Sequence, residues 1–143
     1  MGAPIELYNN PATLFVASFI GAPQINLIPV QFKNNKLISG DIELSGFKDL
    51  PENTELVLGI RPDVITPNKN GQLEIKVDLV EQHGADNLIY GALSGAAKAD
   101  IDDTEICFKT AQGTLPDIDS VLKLHFDQKT AMIFNKESGE RLI

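Results

Sequence analysis

The sequence has no tryptophan, one cysteine (Cys107) and two histidines, His83 and His125. A lone cysteine excludes an internal disulfide and fits a reducing compartment. The histidines stand far apart, and neither has ligand-like spacing to Cys107. They are expected as a turn histidine and a strand-surface histidine, not as zinc ligands. Cys107 lies between Ile106 and Phe108 and is expected as one more strand side chain. Positive charge is also scarce: 12 Lys and Arg stand against 20 Asp and Glu, a formal charge of -8. Such a field repels a phosphate backbone, and the bases are spread singly from Lys33 to Arg141. Nucleic acid is therefore not expected as a partner. No Lys or Arg precedes Lys33, so the positive start of a secretory signal is missing. The apolar run Leu14 to Ala22 falls far short of the about 20 residues a membrane-spanning helix needs.

Motifs of chemistry are lacking as well. No GxxxxGK[ST], GxGxxG or GxSxG occurs. The stretch ALSGAA, Ala92 to Ala97, faintly resembles the LSGGQ signature of ABC ATPases. It follows a strand instead of opening a helix, and it lacks the second Gly and the Gln, so it reads as a chance match. Between Glu81 and Asp119 eight acids face two bases, a local charge of -6. Asp100, Asp102, Asp103 and Glu105 crowd within it, but the alternating calcium-loop pattern with its twelfth-position Glu is absent. A solvated acidic loop or a charged docking surface accounts for them. A free-standing enzyme built on Asp100–Glu105 ranks last, because no nucleophile–base pair or metal spacing supports it. No catalytic, cofactor-binding or metal residue is assigned in this chain.

What is present begins with a greasy helix. Asn10 can cap it, Pro11 suits its first turn, Gly21 can end it and Pro23 follows. Leu14, Phe15, Val16, Ala17, Phe19 and Ile20 cover most of its circumference, where a surface helix shows one stripe. It is either a connector lying between two bodies or a central core helix. After Pro23 the period becomes two. Ile25 to Lys33, a turn at Asn34-Asn35, and Lys36 to Leu44 read as a hairpin. Leu56, Leu58 and Ile60 share one face of a strand ending at Pro62. Leu73, Ile75, Val77 and Leu79 alternate against Glu74, Lys76 and Asp78. NLIYGALSG, TEICFKT, SVLKLHFD and AMIFN follow, before a turn at Glu137-Ser138-Gly139. About eight short strands at regular spacing, without a second long helix, predict an antiparallel barrel or sandwich. In GIRPD, Gly59 to Asp63, Pro62 holds Arg61 extended beside Asp63. That Arg suits either a salt bridge across a seam or a strand-end pair with Asp63.

Four stretches in order resemble one family. ELYNNPATLFVASFIGAPQINLIP is similar to the segment that follows the nucleotide-binding domain in ABC import ATPases of the maltose and glycerol-phosphate transporter type. Glu6, Tyr8, Pro11, Ala12, Phe15, Val16, Ala17, Phe19, Ile20, Gly21 and Asn26 fit, with Ile25 where Met is common. GIRPD resembles the family's Gly-x-Arg-Pro-Glu element, with Asp63 a shorter acid. VEQHGADNLIYG resembles its strand pair through Val80, Glu81, Gly84 and Tyr90. MIFNKESGERL resembles the closing strand and turn through Ser138, Gly139, Arg141 and Leu142. The resemblance implies a mainly β, OB-fold-like antiparallel barrel of the TOBE type, residues 25–143. A connector helix, residues 1–24, would precede it and follow a missing ATPase domain that holds ATP and magnesium. Met1-Gly2-Ala3 would be an expression remnant and the chain a fragment. The implied role is regulation and homodimerisation at the C-terminal end of a carbohydrate importer's ATP-binding subunit. That subunit would be cytoplasmic and peripheral to the inner side of a bacterial plasma membrane. Its implied partners are its own ATPase domain, permease subunits and an inhibitory regulator. Gly59, Arg61, Pro62, Asp63, Glu81 and Gly84 are the expected interface residues, and Phe15, Val16, Phe19 and Ile20 the connector contacts. The rival reading is a small-ligand sensor for a sugar or an oxyanion; scattered bases disfavour the oxyanion.

Overall fold

A computed structural model of the chain describes residues 25–95, 104–111 and 115–143. The expected connector helix, with Phe15, Val16, Phe19 and Ile20, lies outside the described residues, as do Asp100, Asp102 and Asp103. Ten strands are described: β1 Asn26–Lys33, β2 Lys36–Ser39, β3 Ile42–Leu44, β4 Glu55–Ile60, β5 Thr66–Pro67, β6 Leu73–His83, β7 Asp86–Leu93, β8 Glu105–Ala111, β9 Val121–His125 and β10 Met132–Asn135. They form two antiparallel sheets, β10-β4-β1-β2-β3 and β5-β9-β6-β7-β8. Their inner faces share one core, so the chain is a nearly closed barrel of OB-like character, as the strand pattern predicts.

Local chemistry sets most turns. Asn34 and Asn35 both take positive φ, 52° and 61°, which a two-residue hairpin of the I′ kind demands. Gly84 opens the β6–β7 turn at φ 56°. A Cβ there meets nothing within 4 Å, so this glycine serves conformation and not space. Asn135 accepts hydrogen bonds at its Oδ1 from the amides of Glu137 and Ser138, both 2.9 Å, forming the last turn. The tail then runs back along β10, with Leu142 N donating to Ile133 O at 2.7 Å.

Two strand assignments from the pattern need correction. Lys36 to Leu44 is not one strand. Gly40 adopts φ 58° and the chain folds back there, so β3 pairs with β2. The Asp41 amide donates to Gly95 O at 2.7 Å, holding this corner to the other sheet. Leu79 does not join Leu73, Ile75 and Val77 inside. A register shift between Val77 and Leu79 makes Asp78 a bulge, and Leu79 is 47% exposed. The bulge occurs where β7 passes close: a Cβ on Gly91 would lie 2.6 Å from Lys76 O.

Sheet β10-β4-β1 is apolar on both sides. Leu56, Leu58 and Ile60 of β4 face the shared core, as predicted. Its outer face carries a second cluster of Ile25, Val57, Met132 and Phe134, with Leu27 packed against it. Gly59 sits in that outer face, where an added Cβ would come 3.1 Å from Phe134 Cε2 and 3.2 Å from Ile25 Cδ1. The glycine makes room for those two side chains.

Candidate interaction surface at the barrel seam

The two sheets meet where β1 passes the free edge of β8. In an antiparallel ladder, every second residue of an edge strand turns both its N–H and its C=O outward. Cys107 is such a residue. The buried Asn26 side chain satisfies both groups: its Nδ2 donates to Cys107 O at 2.8 Å, and Cys107 N donates to its Oδ1 at 2.7 Å. A primary amide matches this pattern because it carries a donor and an acceptor side by side. The same device recurs in Gln72, whose Nε2 donates to Phe126 O at 2.8 Å while its Oε1 accepts from Phe126 N at 3.2 Å.

Asn26 is paired in register with Ile60, so Arg61 leaves β4 beside this seam. Arg61 is extended, φ -71° and ψ 144°, as the following proline requires. Pro62 is buried and starts a short 3-10 turn, Pro62–Val64. Arg61 Nε lies 4.0 Å from Asp63 Oδ1, and the arginine side chain is mostly covered while Asp63 is exposed. This is the local pairing of strand-end Arg and Asp63. A pair this long, with its acid open to water, contributes little to stability.

On the other sheet, the bulge at Asp78 decides what faces outward. Strict alternation from Leu73 would turn residue 81 into the core. The extra residue flips the parity, so Val80 packs on the core and Glu81 emerges on the outer face. There the Tyr90 hydroxyl hydrogen-bonds the Glu81 carboxylate and the Cys107 thiol. Burial, with the negative charge of its neighbours, raises the Tyr90 pKa. Burial first, then Glu81 and Glu105, pushes the Cys107 thiol up to about 11, although the Tyr90 hydrogen bond and Lys109 pull the other way. A buried thiol of this kind stays protonated at neutral pH and is a poor nucleophile. The bulge also brings Asp78 to Glu105. Desolvation, then the Asp78 hydrogen bond and charge, raise the Glu105 carboxyl to about 7.

Of the predicted interface residues, Gly59, Arg61, Pro62 and Asp63 gather at the end of β4. Glu81 lies on the outer face of β6, and Gly84 at the tip of the β6–β7 hairpin. A chain of contacts joins the first group to Glu81: Arg61 follows Ile60, Ile60 pairs with Asn26, Asn26 holds Cys107, and Tyr90 bridges Cys107 to Glu81. Gly84 stands apart from it. Sequence reasoning placed Asn26 and Tyr90 within motifs but missed their role, and it missed Asp78. The adjacent apolar pair Leu79-Val80, which breaks the alternation, was the signal for the bulge. An open hollow is lined by Asn35, Gly46, Phe47, Lys48 and Asp49, where one cation and one anion stand side by side. Among the described residues no group of three metal-ligating side chains converges. None of their helices is long and apolar enough to cross a membrane.

Comparison with known proteins gives one consistent result. The chain is 54% identical over 142 residues to the sn-glycerol-3-phosphate import ATP-binding protein UgpC of Roseobacter denitrificans, covering 99% of this chain and 40% of that protein. It is 33% identical over 148 residues to the protein of the same name from Ruegeria pomeroyi, covering 99% and 38%. For that of Escherichia coli K12 the figures are 32% over 152 residues, 99% and 40%. The chain thus spans about 40% of the length of the curated relatives it matches. No protein-family profile matches it.

Proposed function

Because this chain belongs to the ATP-binding subunits of sugar-type ABC importers, as their C-terminal part, we propose that it is the regulatory and self-association domain of such a subunit and performs no ATP chemistry itself. The observation that carries this reading is the 54% identity that runs through 99% of the chain. In the parent subunit, ATP and magnesium bind the preceding domain, and permease subunits hold the complex at the inner membrane face. The relatives' names give sn-glycerol-3-phosphate, which is therefore the first solute to test, although other subunits select it.

The barrel is suited to a passive coupling role. Among the described residues no group of three metal-ligating side chains converges, and the Cys107 thiol is held protonated. If the barrels of two subunits stay joined while their ATPase domains part after hydrolysis, each domain keeps a high effective concentration for the other. A regulator that prefers the parted arrangement then slows transport by population shift. Arg61, Asp63 and Glu81 are the residues assigned to the self-association surface, because the proline-held Arg61 and the re-aimed Glu81 lie either side of the seam.

Sedimentation velocity over a concentration series tests this. The expected result is a reversible dimer that Arg61→Ala weakens while circular dichroism stays unchanged. A strict monomer at high concentration, or a dimer indifferent to Arg61→Ala, refutes the assignment. A thermal-shift screen separates the sensor reading: a ligand at a hundredfold excess over its dissociation constant stabilises by about 2.7 kcal/mol. Self-association alone shows only dependence on protein concentration.

A further inference from the structure

The barrel has two outer faces of different character. At its rear, on β10-β4-β1, the apolar patch around Met132 and Phe134 is buried. At its front, on β6-β7-β8, Leu79 stands 47% exposed. Strand register orders this front face. Lys76 and Glu105 end one row across the three strands, Glu81 and Lys109 end another, and Leu79 and Tyr90 lie in the row between. Val77, Val80, Ile89, Ile106 and Phe108, beside them in sequence, pack on the core, so all six face outward. Charge therefore alternates round four corners: the two lysines occupy one diagonal and the two glutamates the other. Asp78 adds a second acid beside Glu105. Lys76 also lies 3.9 Å from Asp119 Oδ1, but both side chains are largely exposed, so that pair holds it weakly. Glu81 accepts from the Tyr90 hydroxyl, which orients its carboxylate without neutralising it.

We infer that two copies of this chain meet through this front face, sheet on sheet, about a two-fold axis passing over Tyr90. The charge pattern selects the occupant. A half-turn about either axis in the sheet plane lays a lysine on every glutamate and a glutamate on every lysine. A partner surface of one sign would meet like charge at two of the four corners. A two-fold contact uses the same patch on both copies, so the patch must complement itself, as this one does. Stacked sheets lie about 10 Å apart, a gap that a lysine and a glutamate together bridge, and Leu79 is covered between them. The inference rests on the self-association reading and deepens it. Glu81 is shared with that surface, and Arg61 and Asp63 border the face because the Pro62–Val64 turn packs on β8. Between Cα atoms the six positions span about 14 Å by 10 Å. A stable interface takes about 800 Å² from each partner, so the isolated chains pair weakly and the test is run at high concentration.

Two variants of opposite sign test the pattern. Lys76→Glu/Lys109→Glu makes all four corners negative, and Glu81→Lys/Glu105→Lys makes them positive. In sedimentation velocity each variant alone should pair at least about tenfold more weakly than the unaltered chain. A one-to-one mixture of the two should pair again. Lys69→Glu/Lys136→Glu changes net charge as the first variant does, at exposed positions off this face, and should pair like the unaltered chain. Leu79→Arg should separate the copies with no charge swapped. Circular dichroism establishes that each variant is folded; if a charge variant is not, Leu79→Arg, at a half-exposed position, decides alone. A strict monomer for the unaltered chain overturns this inference and the self-association reading together. A dimer that survives Leu79→Arg, or folded charge variants that stay apart when mixed, overturns the front-face assignment while self-association stands.

Discussion

Replacing Asn26 by alanine tests the seam directly. The amide makes two short hydrogen bonds to the Cys107 backbone, at 2.8 and 2.7 Å, and is 4% exposed. Removing it strands one buried N–H and one buried C=O. Each stranded group costs about 1–3 kcal/mol, so the pair is worth roughly 3 kcal/mol after partial rescue by water. With a urea slope near 2 kcal/mol/M, the unfolding midpoint of Asn26→Ala falls by about 1.5 M. Gln72→Ala removes the same kind of clamp, part-buried and with one longer bond, so it should cost about half as much. Amide exchange gives the local readout: Cys107 N–H loses protection in Asn26→Ala by more than global destabilisation explains. Asn26→Asp refines the argument. Its carboxylate can accept from Cys107 N but confronts Cys107 O without a proton, so folding raises its pKa. The defect is then greatest at neutral pH and is recovered as pH falls through that raised value. A midpoint within about 0.3 M of the parent for Asn26→Ala, well inside the predicted loss, refutes the claim that this side chain joins the sheets.

Two further outcomes follow from the outer face of β6-β7-β8. Glu105 has its folded pKa raised to about 7 by desolvation and Asp78. Its contribution is therefore favourable below the ordinary carboxylate range and is lost as pH rises to about 7. Glu105→Gln should flatten the melting temperature over that interval and raise it slightly at pH 8. The effect is small because Glu105 is exposed and water screens the repulsion. A steeper pH dependence in the variant contradicts the pairing. Cys107, 7% exposed and with its pKa pushed up to about 11, should react with a thiol reagent at neutral pH only after urea unfolding. Fast labelling of the native chain shows that β8 is open to solvent there.

Period and punctuation made most of the barrel legible. β1, β4 and β6 follow from alternating apolar residues, and the Asn34-Asn35 turn from residues that accept positive φ. Two features escaped because they depend on another strand. The bulge at Asp78 arises where β7 presses on β6 at Gly91, so a pattern read along β6 alone continues the alternation through Leu79. The β2–β3 reversal at Gly40 is hard to see because Ile38, Ile42 and Leu44 keep a strand-like spacing across the turn. The seam was invisible for a related reason. An asparagine that hydrogen-bonds a backbone 81 residues away leaves no local trace.

The same asymmetry explains where the family-like stretches fall. Alternating aliphatic residues suffice to fill a barrel core, and many choices of Leu, Ile and Val serve equally. A core needs no Gly-x-Arg-Pro-acid element or Glu–Tyr pair. These residues instead sit where one sheet constrains the other or where a sheet turns outward. Gly59 clears space for Phe134 on the rear face. Arg61 leaves β4 next to the residue that pairs with Asn26. Glu81 is turned out by a bulge and held through Tyr90 to Cys107. Arg141 bridges to Phe134 at the edge of the rear patch. A displacement of β4 at Arg61 can therefore reach β8 both through the Asn26 amide and through the Pro62–Val64 turn that packs on β8, because packed interfaces transmit strain instead of absorbing it. If self-association engages Arg61 and Glu81 together, it grips the two sheets that the Asn26–Cys107 hydrogen bonds join, and Asn26→Ala should loosen the dimer without removing any residue assigned to its interface.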